Sequence, residues 1–403
     1  MTDYDIAIIG GGLAGLSLAA ALAPLSLRIL MIDSRREPSG KVDDYDERSL
    51  ALGFGSRLIY SGIGVWDKIA TAATPIKTVH VSEQGHLGST RLSAAESGVG
   101  ALGYVVTLRH LATILEHHIA SQPNLTRLHQ ATLTGIETDG EAATLTIENE
   151  GKPLTITTRL LVGADGGASA SRRLLGIDTR VEPYDQMAVI ANITTSKPHE
   201  GCAFERFTAS GPMALLPLDD NRCALVWSQS PANAERILQR SDEEFMAEIP
   251  QHFGFRLGKV IRTGKREAFP LTMTVARSLT RQRSLLLGNA AHALHPIAGQ
   301  GLNLALRDVA VLAELLAGHD DPGDDELLQI YAQRRLPDIN ATANTSDGLL
   351  RIFMNPWAPL GHARGAALIA LNRMTPLKRR LARLGMGFRH NLQGPLFQGE
   401  HLR

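Results

Sequence analysis

The chain has little cysteine, no excess of either charge and no long apolar run. Its 403 residues include two cysteines, Cys202 and Cys223, without CxxC spacing. That excludes a disulfide framework and points to a reducing compartment, with both thiols read as small core residues. Lys plus Arg number 41, as do Asp plus Glu, so no global field argues for nucleic acid. No uncharged run reaches the roughly 20 residues that span a bilayer. The N-terminal Met-Thr-Asp-Tyr-Asp lacks a basic signal region. No Gly-x-Ser-x-Gly elbow is present, which leaves hydrolase chemistry without support. The histidines lack ligand spacing with cysteines or carboxylates, so no metal is expected. What remains is an ordinary globular composition, 44% hydrophobic and 20% charged, on a chain long enough for about two to three domains.

Glycine is where the sequence becomes specific. Ile6 to Ile9 reads as a strand, and Gly10-Gly11-Gly12-Leu13-Ala14-Gly15 follows at once. A helix is expected from about Leu13 to Ala23, stopped by Pro24. A second strand, Leu27 to Ile32, closes on Asp33. This is the dinucleotide fingerprint in its required context of strand, glycine turn, helix, strand and acid. Gly10 makes the turn, Gly12 lets backbone approach a pyrophosphate, and Gly15 lets helix pack on strand. Asp33 lies 18 residues past Gly15, where a ribose-binding carboxylate belongs. Gly98-Val-Gly100-Ala-Leu-Gly103 repeats the spacing, but strand-like Tyr104-Val-Val-Thr107 follows it. One dinucleotide site is therefore expected.

A second glycine loop lies between Leu285 and Asp308. Leu285 to Leu287 reads as a short buried strand and Gly288-Asn289 as a turn. Pro296 and Gly299-Gln300-Gly301 form a loop, and a helix begins near Leu302 with apolar face Leu302, Leu306, Val309, Ala310 and Ala313. Unpaired N–H groups and the helix dipole make such a loop an anion site.

The run Gly288-Asn289-Ala290-Ala291-His292, Pro296, Gly299-Gln300-Gly301, Asn303 and Asp308 resembles the second flavin motif of the FAD-dependent aromatic hydroxylases of the para-hydroxybenzoate hydroxylase type. Asn289 stands where most of that family has Asp, and with His295-Pro296-Ile297 after it the stretch looks like the ubiquinone-biosynthesis branch. Asp165-Gly166-Gly-Ala-Ser169-Ala-Ser-Arg172 matches a further family motif, although a turn with a helix cap also explains it.

The resemblance implies an α/β fold: a Rossmann-like FAD-binding domain, an inserted mixed β-sheet substrate domain and a C-terminal helical segment. It implies FAD held by Gly10, Gly12, Leu13, Ala14, Gly15, Asp33, Asp165, Gly288, Asn289, Pro296, Gly299, Gln300, Gly301, Leu302 and Asn303. Arg48 and Arg109 join that set by the same likeness. From the residues alone, Arg48 reads equally as an ion-pair partner of Asp46 or Glu47, and Arg109 opposes the dipole of the helix it opens. NAD(P)H is the implied transient reductant, and O₂ the co-substrate through a flavin C4a-hydroperoxide. The substrate is expected to be a polyprenylated phenol, with partners in a ubiquinone-synthesis complex. His292, His295 and Pro296 are the nearest to catalytic candidates; a histidine beside a tight loop more commonly serves local hydrogen bonding. Two other readings compete. One is a different flavoenzyme on this fold, acting on another aromatic ring, halogenating, or reducing a lipid double bond; widely spaced Trp66, Trp227 and Trp357 give no Trp-x-Trp halogenase motif. The other is a catalytically silent FAD-binding scaffold, with Asn289 its support.

Residues 1–75, 100–178 and 270–345 are expected to form the FAD-binding domain, 76–99 and 179–269 the substrate domain, and 346–403 a basic helical tail. Ala143 to Ile147 and Leu154 to Thr158 read as a hairpin, and Arg159 to Asp165 as a strand ending in a turn. Between Arg180 and Phe269 short alternating strands surround one helix, Asp242 to Phe253. Leu327 to Leu336 reads as a helix ended by Pro337. Nine basic residues and one acid lie in 348–403, so the tail is near +8 and the body near −8. Arg351, Arg364, Arg373, Lys378, Arg379, Arg380, Arg383 and Arg389 alternate there with apolar residues. Either the tail docks on the acidic body, or it meets an anionic membrane surface around Leu377 to Phe388. The second reading makes the protein cytoplasmic and peripheral to the inner membrane.

Overall fold

The fold is given by a computed structural model that describes residues 2–35, 44–388 and 393–402. Arg389 and Arg403 of the basic tail lie outside them. Five strands run parallel in the order Ser284–Leu286, Lys152–Gly163, Tyr4–Ile9, Ile29–Asp33 and Leu125–His129. Continuous apolar runs such as Ile29–Asp33 are buried throughout, as a sheet covered on both faces requires. Pairing sets Ile32, Ile9, Gly163 and Leu286 side by side. The chain therefore leaves the sheet at one level into Asp33, Gly10, Ala164 and Leu287. Lys152–Gly163 is one strand rather than two: it pairs antiparallel with Ala143–Asn149 at its start and parallel with Tyr4–Ile9 at its end. Its hairpin turn uses Glu150 and Gly151 with φ of +52° and +75°, the handedness that matches strand twist.

A second sheet has nine strands among the described residues. Its path runs His292–Ala293, Glu267–Ala276, Thr179–Thr195, Arg222–Gln229, Gly211–Pro217, Cys202–Thr208, Thr78–Glu83 and Ser89–Ser93, with Val260–Thr263 alongside Thr179–Thr195. Two helices, not one, cover its outer face: Pro231–Gln239 and Asp242–Phe253. The first starts on Ser230, whose hydroxyl accepts from Asn233 N–H, with Pro231 at the first helical position. Phe245, Ile249 and Phe253 pack there on Ile193, Leu225 and Trp227. The inner face looks at the glycine loops. A small third sheet, Ser49–Gly53, Gly103–Thr107 and Thr74–Ile76, fills the corner between them.

The expected stop at Pro337 does not occur. Asp325–Met354 is a single helix that contains it. Proline removes the donor to the Gln333 carbonyl, but Gln333 and Pro337 are both exposed, so water can serve that oxygen. The opposite face, with Arg335, Asp338, Ile339, Thr342 and Ala343, is buried and holds the helix through.

Beyond it come Ala358–Arg373, Thr375–Gly385 and Pro395–Gln398. Part of the tail's charge is docked on the body. Arg364 clamps Glu83, Lys378 pairs with Glu96 at 2.8 Å, and Arg379 Nε donates to the Glu96 carbonyl at 2.7 Å. The outer face of Thr375–Gly385 is different: Leu377, Leu381 and Leu384 are exposed beside Arg380 and Arg383. No helix among the described residues is long and apolar enough to cross a membrane.

Candidate functional site

Three glycines of the first loop have three separate physical reasons. A Cβ on Gly10, at φ +111°, would sit 2.5 Å from the Ala164 carbonyl oxygen, and one on Gly15 would sit 2.0 Å from that of Gly10. Those two are required by the protein's own backbone. Gly12 is not: its φ is −74°, and a Cβ there meets no atom within 4 Å. The fold itself gives no reason for glycine there, and within this strand–turn–helix the open space suits the close approach of a ligand. Gly301 is in the same situation.

The two loops are joined at Gly288, where φ is +60° and a Cβ would lie 3.1 Å from Ala14 and 3.3 Å from Ala305. Gly288 thus sits between the Leu13–Ala21 and Gln300–Ala317 helices, near their N-terminal ends. Both helices start on a glycine, without a side-chain cap or an acidic residue in the first turn. Two uncapped positive helix ends converge on one open space. Asn289 is the only exposed residue from Ser284 to His292 and makes no side-chain hydrogen bond among the described residues. Its amide is free to meet a ligand. Asn289→Asp is expected to retain most cofactor binding, since the two side chains are nearly isosteric and both accept hydrogen bonds. Complete loss of bound flavin in that variant would show that the amide donor is required.

Other expected site residues are held by the protein. Asp33 lies against Gly11 and accepts from Arg35 Nη2 at 2.8 Å and Nε at 3.1 Å. Burial alone would raise the Asp33 carboxyl, but the hydrogen bonds and charge of Arg35 hold it below the usual range. Asp165 accepts from Ser169 Oγ at 2.5 Å, Ser171 N–H at 2.9 Å and Ser171 Oγ at 3.1 Å, which fixes the turn after Gly163. Asn303 uses its whole side chain. Oδ1 accepts from Gly53 N–H at 2.7 Å and Ser56 Oγ at 2.6 Å, and Nδ2 donates to the Ala51 and Gly299 carbonyls at 2.9 and 2.6 Å. It clamps the helix start to the small sheet. Arg109 pairs with Glu47 at 2.8 Å, which offsets its unfavourable place in the helix dipole. Arg48 lies over the Phe269 ring at 4.5 Å, while Asp46 accepts from Lys265 N–H.

His292 is fully buried, with Nε2 at 2.6 Å from Asp308 Oδ2. Asp308 also accepts from Gly288 N–H at 3.0 Å and pairs with Arg335 at 2.7 Å. This histidine anchors the Gly288 turn. His295 is buried too; Ile297 N–H donates to its Nδ1 at 3.2 Å, so the proton sits on Nε2. Burial pushes its pKa down to about 4, leaving it neutral, edge-on to Tyr184 at 5.2 Å. Pro296 is exposed and opens the short 3₁₀ turn Ile297–Gly299.

Glu205 is the residue that pattern reading misses, because a carboxylate in an alternating strand reads as a solvated face. On Cys202–Thr208, Phe204 packs on Phe253 and Arg206 Nε donates to the His252 carbonyl, both on the outer side. Ala203, Glu205 and Phe207 point inward. Ala203 clusters with Ala51, and Phe207 with Ile297. A Cβ on Gly299 would lie 3.3 Å from Ala51, so Glu205 stands opposite the 297–299 loop. Its ladder neighbours are the small Val81 and Ala214. It has no hydrogen-bond or ion-pair partner among the described residues, and burial raises its carboxyl to about 7.

Parallel strands that deliver two glycine loops and two bare helix ends to one edge define a dinucleotide-binding site. The FAD binding domain family matches residues 3–346, and the chain belongs to that family. It is 37% identical to ubiquinone hydroxylase UbiL of Rhodospirillum rubrum, over 95% of this chain and 89% of that one. It is 31% identical to 3-demethoxyubiquinol 3-hydroxylase of Escherichia coli K12, over 95% of this chain and 98% of that one. The fold is that of p-nitrophenol 4-monooxygenase PnpA from Pseudomonas putida, with TM-score 0.76, 17% identity and coverage of 96% of this chain and 98% of that one.

Proposed function

We propose that the protein is an FAD-dependent monooxygenase that hydroxylates the aromatic ring of a polyprenylated phenol in ubiquinone biosynthesis, with NAD(P)H and O₂. The observation that carries this reading is the chain-long likeness to ubiquinone hydroxylase UbiL. The open cradle beside Gly12, Asn289 and Gly301 fits FAD, and the N–H groups at the start of Gln300–Ala317 suit the flavin's electron-rich end. The FAD, when bound and reduced, supplies oxygen activation. The protein's share is to hold the ring between the 297–299 loop and the inner sheet face and to keep water out. In this reading the residues named above as expected FAD contacts line or shape the cofactor site, and the nine-stranded sheet forms the substrate side.

Glu205 accepts the hydrogen bond of the ring hydroxyl and takes its proton, which makes the ring electron-rich where oxygen is delivered. Because its carboxyl titrates near 7, kcat/KM should rise with pH through about 7 as the group ionises. Glu205→Gln should lose about 10²-fold in kcat with little change in KM, and should lose that acid limb. The deciding assay is NAD(P)H oxidation coupled to hydroxylated product, with a prenylated phenol as substrate and mass-spectrometric readout. Bound flavin with no product from any prenylated phenol would leave the silent-scaffold reading in its place.

The exposed Leu377, Leu381 and Leu384 with Arg380 and Arg383 support peripheral association with an anionic membrane. This face is tied to the cradle, since Gly55 N–H donates to the Met386 carbonyl at 2.8 Å and Gln300 Nε2 to that of Gly385 at 3.4 Å. A bilayer-resident phenol would enter beside it.

A further inference from the structure

A cavity of about 510 Å³ opens between the Thr78–Glu83 and Ser89–Ser93 strands and the last turn of Ala358–Arg373. Its charged lining is Arg206, Arg256, Arg373 and Glu83. Glu83 is already neutralised by Arg364, whose Nε donates to both carboxylate oxygens at 3.1 Å. None of the three lining arginines has a carboxylate partner among the described residues. Arg206 donates to the His252 carbonyl and Ser82 Oγ, at 2.9 and 3.2 Å. Arg256 meets His80 Nε2 at 2.5 Å, and burial with the nearby arginine charges keeps that histidine neutral, its pKa lowered to about 4. Ser89, Asn372 and Gly88 add polar and bare-backbone surface. Three guanidinium groups without a carboxylate partner, two of them exposed, face one concavity and form a fork-shaped donor set for an anion.

We propose that this cavity binds a phosphate group, and that the group is carried on an anionic amphiphile. Leu87, 90% exposed, and Ile369 stand at its rim, and Phe255 is exposed beside Arg256. Met374 follows Arg373 directly and continues into the Leu377–Leu384 face. A free phosphate has no use for such a rim, whereas a headgroup whose acyl chains run along it does. The site is separate from the flavin cradle and holds whether or not the chain hydroxylates a ring.

The experiment compares wild type, Arg256→Gln and the charge-matched control Lys152→Gln, which removes an exposed charge on the far hairpin. Each is tested by calorimetric titration with inorganic phosphate and by flotation with phosphatidylglycerol or phosphatidylcholine vesicles. Arg256 is exposed, so its loss should leave folding intact; a melting curve checks this. The expected result is binding to phosphatidylglycerol vesicles weakened about tenfold or more in Arg256→Gln and not in Lys152→Gln. Phosphate binding that Arg256→Gln abolishes, with vesicle binding equal in all three proteins, would keep the anion site and overturn the amphiphile as its source. Phosphate binding lost in Arg256→Gln, with no protein floating at all, would likewise keep the site and remove the membrane reading. No difference between Arg256→Gln and Lys152→Gln in either measurement overturns the site itself.

Discussion

Gly12→Val is expected to purify colourless and folded. The two halves of that statement have different causes. At φ −74° a valine is conformationally acceptable, and its Cβ meets no protein atom within 4 Å. Nothing in the fold resists the side chain. In the proposed reading, the space it enters is the one the pyrophosphate of FAD needs, beside the uncapped starts of Leu13–Ala21 and Gln300–Ala317. Two methyl groups in contact with a diphosphate displace its N–H donors, and flavin occupancy should fall from about one per chain to near zero by absorbance in the flavin band. Gly15→Val provides the contrast. Its Cβ would lie 2.0 Å from the Gly10 carbonyl oxygen, so it should fail to fold rather than fail to bind. Melting of Gly12→Val should match that of flavin-stripped wild type. Stoichiometric flavin in Gly12→Val would sink the cradle assignment.

The cradle was legible because its parts are local. Strand, glycine turn, helix and acid follow one another within residues 4–33, and apolar periodicity and the φ freedom of glycine are enough to read them. Roles within the motifs were less legible. Asn303 and Asp165 occupy motif positions, yet their side chains are taken up by contacts to Gly53, Ser56, Ser169 and Ser171. Sequence spacing cannot separate a residue that touches the ligand from one that shapes the loop. Pro337 misled for a physical reason: proline stops a helix only if its orphaned carbonyl has no other partner, and exposure of Gln333 is a tertiary fact. The charge of the tail was countable, but the Arg364–Glu83 contact spans 281 positions and cannot be read from the count. Glu205 was invisible for the same reason: which face of a strand meets another sheet is decided by packing.

A large loss of stability is expected from Arg335→Met. Arg335 is fully buried and holds Asp308 Oδ1 at 2.7 Å and Asp338 Oδ2 at 2.8 Å; Arg307 holds Asp338 from the other side at 2.7 Å. Two arginines and two aspartates balance, and His292 and Gly288 N–H complete the shell of Asp308. Burial would raise both carboxyls, but His292 and Arg335 at Asp308, and Arg307 and Arg335 at Asp338, hold them below the usual range. Methionine fills much of the volume and supplies no donor, so one buried carboxylate charge is left uncompensated, at a cost of about 3–5 kcal/mol. The pH dependence follows in sign. Carboxyls depressed in the folded state add stability above their unfolded pKa near 4, and it is lost as pH falls through the folded values. With Arg335 gone the folded values rise, so the deficit against wild type is greatest at neutral pH and narrows toward pH of about 4. Because Asp308 also holds Gly288 N–H, the folded variant should bind FAD more weakly as well. Adding Asp308→Asn to Arg335→Met removes the stranded charge and should recover part of the loss, a non-additivity that a double-mutant cycle reads directly from urea unfolding. A loss under about 1 kcal/mol, or strict additivity of the two changes, would mean that this buried network does not act as a unit.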